Sequence, residues 1–309
     1  MYSEKYLPEG LLIHSDENRV LTSGEAMLYE AFRSGRIVEG KAILCDENHN
    51  LTVDFGTVCG IIPYHETALG IESGKIREIA IISRVGKPVS CVISHFSPNE
   101  NLILSRKEAQ RRASEHIFNH LTPGDIIPAR VTHIEPFGAF VDIGCGLISL
   151  LGIECISISR ITHPSERFQV GDCIFVVISG FDTENQRVLL SHRELLGTWE
   201  ENAARFSPGQ TVTGVVRGVE EYGVFVELTP NLSGLAEAGT DLLPGDVVSV
   251  YIKSITREKM KIKLVIIDKL SQIPKKLITP DDYFLTEGHI NRWEFSPCDS
   301  SKKKAITVF

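Results

Sequence analysis

Several signatures of enzymes and metalloproteins are absent from this chain of 309 residues. It has no G-x-x-x-x-G-K-[ST] phosphate loop, no H-E-x-x-H zinc motif, no G-x-S-x-G nucleophile turn and no strand-linked G-x-G-x-x-G. Among its ten histidines, only His116 and His120 have a ligand-like spacing, and no third ligand accompanies them. We therefore predict no catalytic residues, no metal site, no cofactor and no small-molecule substrate.

Signatures of disulfides and of membrane segments are also lacking. The seven cysteines form an odd set without a C-x-x-C spacing, which predicts free thiols in a reducing cytoplasm. The N-terminus shows no basic start followed by an apolar core, so we expect no signal peptide. No apolar run approaches the roughly 20 residues that span a bilayer. These features predict a cytoplasmic protein without membrane contact.

The chain also lacks the basic excess of a protein that binds duplex backbone along its length. It carries 32 Lys and Arg against 40 Asp and Glu, a formal net charge of -8. Nucleic-acid-binding proteins usually carry a basic stripe or an overall basic balance. The charge therefore argues against bulk binding of polyanions and remains compatible with a local site.

Short strand patterns, by contrast, are abundant. From about residue 36 to 268, branched and aromatic runs of five to eight residues are separated by Gly, Pro, Asn and Asp. A hydrophobic content of 42% and a charged content of 23% are typical of a globular protein. Helical patterns are few, with the clearest at 23–35 and 105–121. We expect a mainly β protein of two to four domains.

A repeated motif indicates how these strands are organised. Residues 134–144, IEPFGAFVDIG, return eighty-five positions later as VEEYGVFVELT, each preceded at the same offset by a Pro-Gly pair. RVLLS at 187–191 matches KIKLV at 261–265 with an offset of only seventy-four, so the later copy lacks eleven residues in its middle. A diverged copy, with LTVDFG at 51–56, lies upstream. Shortened loops between retained strands are how one β fold accommodates length differences.

The repeats divide the chain into six predicted segments. They are an N-terminal extension with a helix (1–35), a diverged barrel (36–107), a helical connector (108–120), a second barrel (121–197), a shortened third barrel (205–269) and a C-terminal extension (270–309). We expect the last segment to form a β-hairpin packed on the third barrel, with CDSSKKK (298–304) as its loop. Alternatively, its Trp293 extends a stacking surface.

Alternation along the repeated strands separates core residues from outward-facing ones. The apolar parity, expected to face the core, comprises Ala139, Val141 and Ile143 in the second repeat and Val224, Val226 and Leu228 in the third. The opposite parity, expected to face outward, pairs Phe140 with Asp142 and Phe225 with Glu227. A second aromatic, Phe137 or Tyr222, lies three positions earlier across a glycine. Such a pair can stack unpaired bases, and the alternative is that the rings cover a barrel end or pack on a neighbouring repeat.

These motifs resemble the RNA-binding domain named after bacterial ribosomal protein S1, a five-stranded barrel of the OB type. The second repeat carries P-G-D, F-G-A-F-V-D-I-G, V-G-D and R-V-L-L-S in order, and the third carries P-G-Q, Y-G-V-F-V-E-L, P-G-D and K-I-K-L. The resemblance covers residues 121–269, with the diverged copy at 36–107. It implies tandem five-stranded OB-fold barrels joined by a short helical connector.

The resemblance also implies a set of RNA-binding residues, because the family uses two aromatics, a histidine, an aspartate and an arginine. The matching residues are Phe137, Phe140, Asp182 and Arg187 in the second repeat, and Tyr222, Phe225 and Lys261 in the third. The histidine position falls at Gly152, where the extra loop offers His163 and Arg160 instead, and near Glu237 in the third repeat. The first repeat has His49, Thr52 and Asn101 at these places, so it is expected to be a structural or protein-contact module.

Two basic segments provide further candidates. In REKMKIK (257–263), Lys259, Lys261 and Lys263 share one strand parity, which suits a phosphate backbone; the alternative is a solvated strand that resists edge pairing. The connector stretch SRKEAQRR (105–112) has four basic residues against one acidic residue and is expected to be a solvated helix face.

Together these features predict non-catalytic binding of single-stranded RNA, such as mRNA, through the second and third barrels. The resemblance implies a role in translation or RNA metabolism, with the small ribosomal subunit as a candidate partner. The alternative is a protein-interaction scaffold that contacts the ribosome or RNA-processing machinery without binding RNA. The five arginines and nine acidic residues between 121 and 197 favour that alternative.

Overall fold

The computed structural model describes residues 6–74, 76–97, 102–237, 242–270, 278–297 and 305–309. The chain divides into two compact units. The first contains the chain up to Leu121 together with Pro128–Arg130 and Asp142–Ile148. The second contains Thr122–Ile127, Val131–Val141 and Ser149–Phe309. Asn101 and the CDSSKKK stretch, both named in the predictions, lie outside the described residues.

A closed five-stranded barrel forms the centre of the first unit. Its strands are β1 (Ile37–Cys45), β2 (Leu51–Asp54), β3 (Cys59–Ile62), β4 (Pro88–His95) and β5 (Leu102–Ser105). They are hydrogen-bonded in the order β1-β2-β3-β5-β4, with β3 and β5 parallel. Side chains of one parity, such as Leu51 and Val53, are fully buried inside the barrel. Removing this apolar surface from water stabilises the closed barrel.

The described part of the first unit also contains the helices α1 (Asp16–Leu21), α2 (Glu25–Ser34), α3 (Glu78–Ile82) and α4 (Arg106–His120). The predicted helix at 23–35 is confirmed as α2, whose Leu28 and Ala31 are fully buried in the apolar cluster of the barrel. It ends at Gly35, which adopts the left-handed conformation (φ 65°) that favours glycine at a helix C-terminus.

The predicted connector helix is α4. It begins after Ser105, whose hydroxyl oxygen accepts a hydrogen bond from the Glu108 amide at 2.9 Å and caps the N-terminus. The expectation that its basic residues form a solvated face is wrong for Arg106. This side chain is 6% exposed and donates to the Glu9 carboxylate at 2.6 and 3.0 Å. Because Glu9 neutralises Arg106 inside the unit, this charge is not offered to a ligand.

The second barrel has the strands β6 (Ile126–Glu135), β7 (Gly138–Asp142), β8 (Ile148–Gly152), β9 (Cys173–Asp182) and β10 (Arg187–Ser191). They form a five-stranded sheet in the order β10-β9-β6-β7-β8. Between the two outermost strands, the Ser149 hydroxyl donates a hydrogen bond to the Val188 carbonyl oxygen. The apolar parity of β7 points inward as predicted, since Ala139 and Val141 are fully buried.

The third barrel is closed and repeats the strand order of the first. Its strands are β11 (Thr211–Glu220), β12 (Gly223–Thr229), β13 (Leu232–Ala236), β14 (Val247–Thr256) and β15 (Lys261–Leu270), and α5 (Trp199–Ala203) precedes them. The described residues also form 3₁₀ turns at Tyr64–Glu66, Ile153–Cys155, Pro164–Glu166, Arg193–Leu196 and Pro280–Asp282. The predicted fold class, a mainly β chain of tandem five-stranded OB-type barrels, is confirmed.

The C-terminal segment packs on the third barrel. Its strands β16 (Arg292–Glu294) and β17 (Ile306–Val308) pair antiparallel. Trp293 and Phe295 join the buried apolar cluster that contains the third-barrel core. Trp293 is 6% exposed, so the alternative in which its ring extends a stacking surface is wrong. Within the described residues, no helix is both long enough and apolar enough to cross a membrane.

Candidate nucleic-acid interface

The second barrel presents a pair of aromatic rings where β6 turns into β7. Phe137 lies in the turn and is 55% exposed, while Phe140 lies on β7 and is half-buried. Their ring centroids are 6.1 Å apart and their planes are at 88°, an edge-to-face arrangement. Edge-to-face pairs are favourable, so the two rings hold each other in place. The pair leaves the face of Phe137 available to a ligand.

The third barrel builds the same pair at the equivalent place. Tyr222 lies in the turn before β12 and is 68% exposed, and Phe225 on β12 is half-buried. The ring centroids are again 6.1 Å apart, with an interplanar angle of 87°. Two barrels with divergent sequences therefore present one aromatic geometry.

A glycine between the two aromatics makes this geometry possible. A Cβ atom at Gly138 would lie 2.5 Å from the Leu151 carbonyl oxygen, and one at Gly223 would lie 2.4 Å from that of Ala236. Real Cβ atoms essentially never approach so closely, so any other residue would push the neighbouring strand away. The glycine therefore lets the third strand of each barrel pack directly beside the aromatic pair.

In the third barrel, the strand register places the aromatic pair near a row of exposed lysines. Phe225 on β12 is opposite Leu235 on β13, which is opposite Lys263 on β15. Adjacent strands are about 4.8 Å apart, so Lys263 is roughly 10 Å from Phe225 on the same sheet. Lys261 and Lys263 are both exposed, and Leu235 between the rings and the lysines is 37% exposed.

In the second barrel the predicted charged residues lie together on the β9–β10 hairpin. Arg187 is exposed, and its Cα is the cross-strand partner of Asp182. The Asp182 carboxylate accepts hydrogen bonds from the Asn185 backbone amide at 3.1 Å and from its side chain at 2.8 Å. These bonds hold the pKa of Asp182 below its ordinary value. Asp182 thus shapes the turn that presents Arg187.

A comparison with known families matches residues 120–193 to a model described as the S1 RNA binding domain. The chain therefore contains an S1 RNA-binding domain over these residues. The resemblance predicted from the motifs is confirmed.

The relatives of this S1-domain protein include several named small ribosomal subunit protein bS1. The one from Leuconostoc lactis is 30% identical over 252 residues, which are 76% of this chain and 57% of the relative. The one from Staphylococcus aureus is 27% identical over 284 residues, or 86% of this chain and 70% of the relative. The chain thus spans little more than half of the first relative.

One solved structure is a multidomain protein with nucleic acid binding domains from Streptococcus pneumoniae. It is 14% identical and covers 77% of this chain and 75% of its own, with a TM-score of 0.26. A score at that level supports no inference about this chain.

His163, the replacement suggested for the family's histidine, lies in a different place from the aromatic pair of its S1 domain. Its Nδ1 accepts a hydrogen bond from the Ser165 amide at 3.2 Å and caps the 3₁₀ turn that follows. The ring lines a pocket of about 470 Å³ together with Arg160, Glu166 and Arg217, and neither Phe137 nor Phe140 is part of that lining.

A different histidine, which the motif comparison missed, stands beside the aromatics. The His133 ring on β6 has its centroid 6.2 Å from that of Phe140, with the planes at 30°. Its Nε2 lies 2.7 Å from the Glu135 carboxylate. The hairpin register could have predicted it. Gly218, which lies eighty-five positions after His133, is the cross-strand partner of Phe225. The same register in the second repeat places His133 opposite Phe140.

The acidic residues that follow the aromatics are buried, so the prediction that they face outward is wrong. Asp142 and Glu227 are each 2% exposed. Glu227 accepts hydrogen bonds from Arg167 at 2.6 and 3.0 Å within the second unit. Asp142 accepts one from the Glu9 amide at 2.7 Å within the first unit. Buried carboxylates need such partners. Nearby residues add to these distant ones, because Asp142 also accepts from the Gly144 and Gly146 amides and Glu227 also accepts from Arg217.

The first barrel has no aromatic pair at the corresponding positions. His49 takes a positive φ of 60° in the β1–β2 turn, and its ring centroid lies 5.8 Å from that of Tyr64. Thr52 is half-buried on β2. The first barrel therefore lacks, at this position, the aromatic surface that the second and third barrels each have.

Proposed function

We propose that this protein binds single-stranded RNA through the aromatic faces of its second and third barrels, without catalysing a reaction. The repeated edge-to-face pair supports this most strongly, because its outer ring is 55% exposed in one barrel and 68% exposed in the other. A base stacked on an aromatic side chain contributes about 1–3 kcal/mol, with little dependence on the base. The proposed recognition is therefore tolerant of sequence.

Exposed cations at the edge of each face complete the proposed site. Arg187 serves the second barrel, and Lys261 and Lys263 serve the third. Each phosphate contact made by such a residue releases counterions and adds about 0.7 to the slope of log affinity against log salt for a single strand. With three such cations, the salt dependence should be modest, in keeping with the net charge of -8.

The relatives support a setting for this activity. Proteins named small ribosomal subunit protein bS1 match most of the chain. We infer a cytoplasmic role in translation, with mRNA as the bound strand and the small ribosomal subunit as a partner.

A protein-binding role for the second barrel is the second candidate, and one observation favours it. Leu150 and Leu189 on this barrel are 41% and 49% exposed, and like Phe137 they are large apolar side chains that a protein partner would bury. Protein partners that remain bound after ribonuclease treatment, and that Leu189→Lys releases, would favour this function over RNA binding.

The RNA-binding proposal is tested with the double variant Phe140→Ala and Phe225→Ala. Losing two stacking rings should weaken binding of a fluorescent oligopyrimidine RNA by roughly 30-fold or more. Tyr29→Ala is the matched control, because Tyr29 is an aromatic in the first unit that is also exposed, at 46%. A double variant that binds as tightly as the unaltered chain would refute the proposal, provided that both unfold at the same temperature.

A further inference from the structure

The second repeat is eleven residues longer than the third, mostly in the connection between β8 and β9. Residues 157–167 of this connection form a loop that is anchored on the third barrel within the second unit. The Ser159 amide donates to the Pro230 carbonyl oxygen at 3.0 Å, and the Ser159 and Ser233 hydroxyl oxygens are 2.9 Å apart. The Ile158 amide donates to the Asn231 side chain at 3.0 Å. The start of the loop therefore has a fixed position beside β13.

The end of the loop is held by buried charges. Arg167 is fully buried and makes a two-pronged contact with Glu227 on β12. Glu166 pairs with Arg217 on β11, which also donates to Glu227 at 2.7 Å. The carboxylates of Glu166 and Glu227 compensate both arginines, so neither arginine offers a free charge to a ligand.

Arg160 lies between these two anchors and differs from its neighbours. Its side chain is exposed, and within the part of the chain that the structure describes no hydrogen bond or ion pair involves it. A charged side chain on an anchored loop, without an internal partner, is positioned for an external anion.

Two pockets meet at Arg160. The larger, of about 550 Å³, is also lined by Tyr222 and Phe225, the aromatic pair of the third barrel. The smaller, of about 470 Å³, is lined by His163 as well as Arg160. The His163 Nδ1 accepts a hydrogen bond from the Ser165 amide, which leaves Nε2 as the ring nitrogen that can donate to a ligand. Arg160 thus lines both pockets, here together called the cleft, with the stacking rings lining one and His163 lining the other.

We propose that Arg160 binds a backbone phosphate of the RNA strand that stacks on Tyr222 and Phe225, so that the loop of the second barrel completes the site of the third. This inference rests on the proposed function. Glu220 lines the same larger pocket and repels phosphate, which directs the backbone to the side of Arg160. The ligand at Arg160 is a phosphodiester of a single strand, and its contact is independent of base identity.

The test uses the full chain and a fluorescent oligouridine, titrated at several salt concentrations. Arg160→Ala should weaken binding by roughly tenfold, the scale of one charge-assisted hydrogen bond. It should also reduce the salt slope by about 0.7, the value for one phosphate contact. Phe225→Ala should weaken binding without changing the slope, and Arg160→Lys should keep the slope. Arg33→Ala, which removes an exposed arginine of the first unit, is the matched control.

The outcomes separate this inference from the proposed function. If Phe225→Ala weakens binding while Arg160→Ala leaves both affinity and slope unchanged, the role of Arg160 is refuted and RNA binding stands. If the unaltered chain does not bind the oligouridine, both proposals fail. If an acidic peptide binds at Arg160 and the oligouridine does not compete, the cleft is a protein site and the inference is overturned.

Discussion

Replacing Glu227 with glutamine should strongly destabilise the second unit. Its carboxylate accepts four hydrogen bonds, at 2.6 and 3.0 Å from Arg167 and at 2.7 and 3.2 Å from Arg217. The Arg167 and Glu227 side chains are 0% and 1% exposed, so water cannot replace the lost charge. Glutamine keeps the size of the side chain, and the effect therefore reports on charge rather than on packing.

The expected magnitude follows from the cost of an uncompensated buried charge, about 3–5 kcal/mol. For a unit of this size, 1 kcal/mol shifts the unfolding midpoint by about 2–4 °C, so the variant should unfold roughly 6 to 20 °C lower. Scanning calorimetry measures this midpoint, and chemical denaturation gives the free energy of unfolding.

A matched control is Lys269→Ala, which breaks the ion pair between Lys269 and Asp246 on the third barrel. The atoms are 2.7 Å apart, but the lysine is 49% exposed, so the loss should stay below about 1 kcal/mol. If Glu227→Gln costs no more than this control, the buried cluster does not hold the loop on the third barrel.

Three further results are expected. Raising the pH from 4.5 to about 7 should lower the thermal midpoint of the first unit. Burial raises the pKa of Glu39, and also that of Asp142, to about 7, so the stability contributed by their protonated forms is lost in that window. Glu39→Gln should therefore reduce the dependence of the midpoint on pH. Lowering the pH from 6.5 to about 4 should destabilise the second unit. Burial lowers the pKa of His192 to about 4, so the stability contributed by its neutral form is lost as the pH falls through this range. The unfolding midpoints of the two units should thus shift in opposite directions with pH, and a shift in the same direction would contradict one of the two pH assignments. Gly223→Ala should cost about 1–3 kcal/mol and weaken RNA binding, because its Cβ would lie 2.4 Å from the Ala236 carbonyl oxygen. Gly218→Ala, whose Cβ would approach no atom closer than 3.8 Å, should leave the stability unchanged.

Local patterns were sufficient to predict the parts of this molecule that depend on local physics. Alternation separated Val224 and Val226, which are fully buried, from Phe225, which is not. The eighty-five-residue offset predicted two copies of one aromatic geometry, and Phe137 and Tyr222 are both more than half exposed. Strand period and turn chemistry depend on only a few neighbouring residues, so both can be recognised directly in the sequence.

Long-range electrostatics could not be predicted in the same way. Asp142 and Glu227 have the parity of surface residues, yet each is buried by partners 133 and 60 positions away. Strand parity predicts on which face of the sheet a side chain lies, but not which other segments of the chain pack on that face. Trp293 is a related case, because an aromatic residue fits both a stacking surface and a buried hairpin. Its place in the buried apolar cluster could be known only from the tertiary packing.

The extra loop of the second repeat illustrates the same limit. The offset change from eighty-five to seventy-four revealed its eleven residues but not their role. The contacts of Ser159 and Arg167 with the third barrel assign that role, and they depend on two repeats folding beside each other.

The central claim is that the second and third barrels, and not the first, bind RNA on their aromatic faces. Ultraviolet cross-linking of an oligouridine to the full chain, with the linked peptides mapped by mass spectrometry, tests it most directly. We predict cross-links on the peptides that carry Phe137 with Phe140 and Tyr222 with Phe225. Cross-links confined to the first barrel, or none on either aromatic pair, would contradict it.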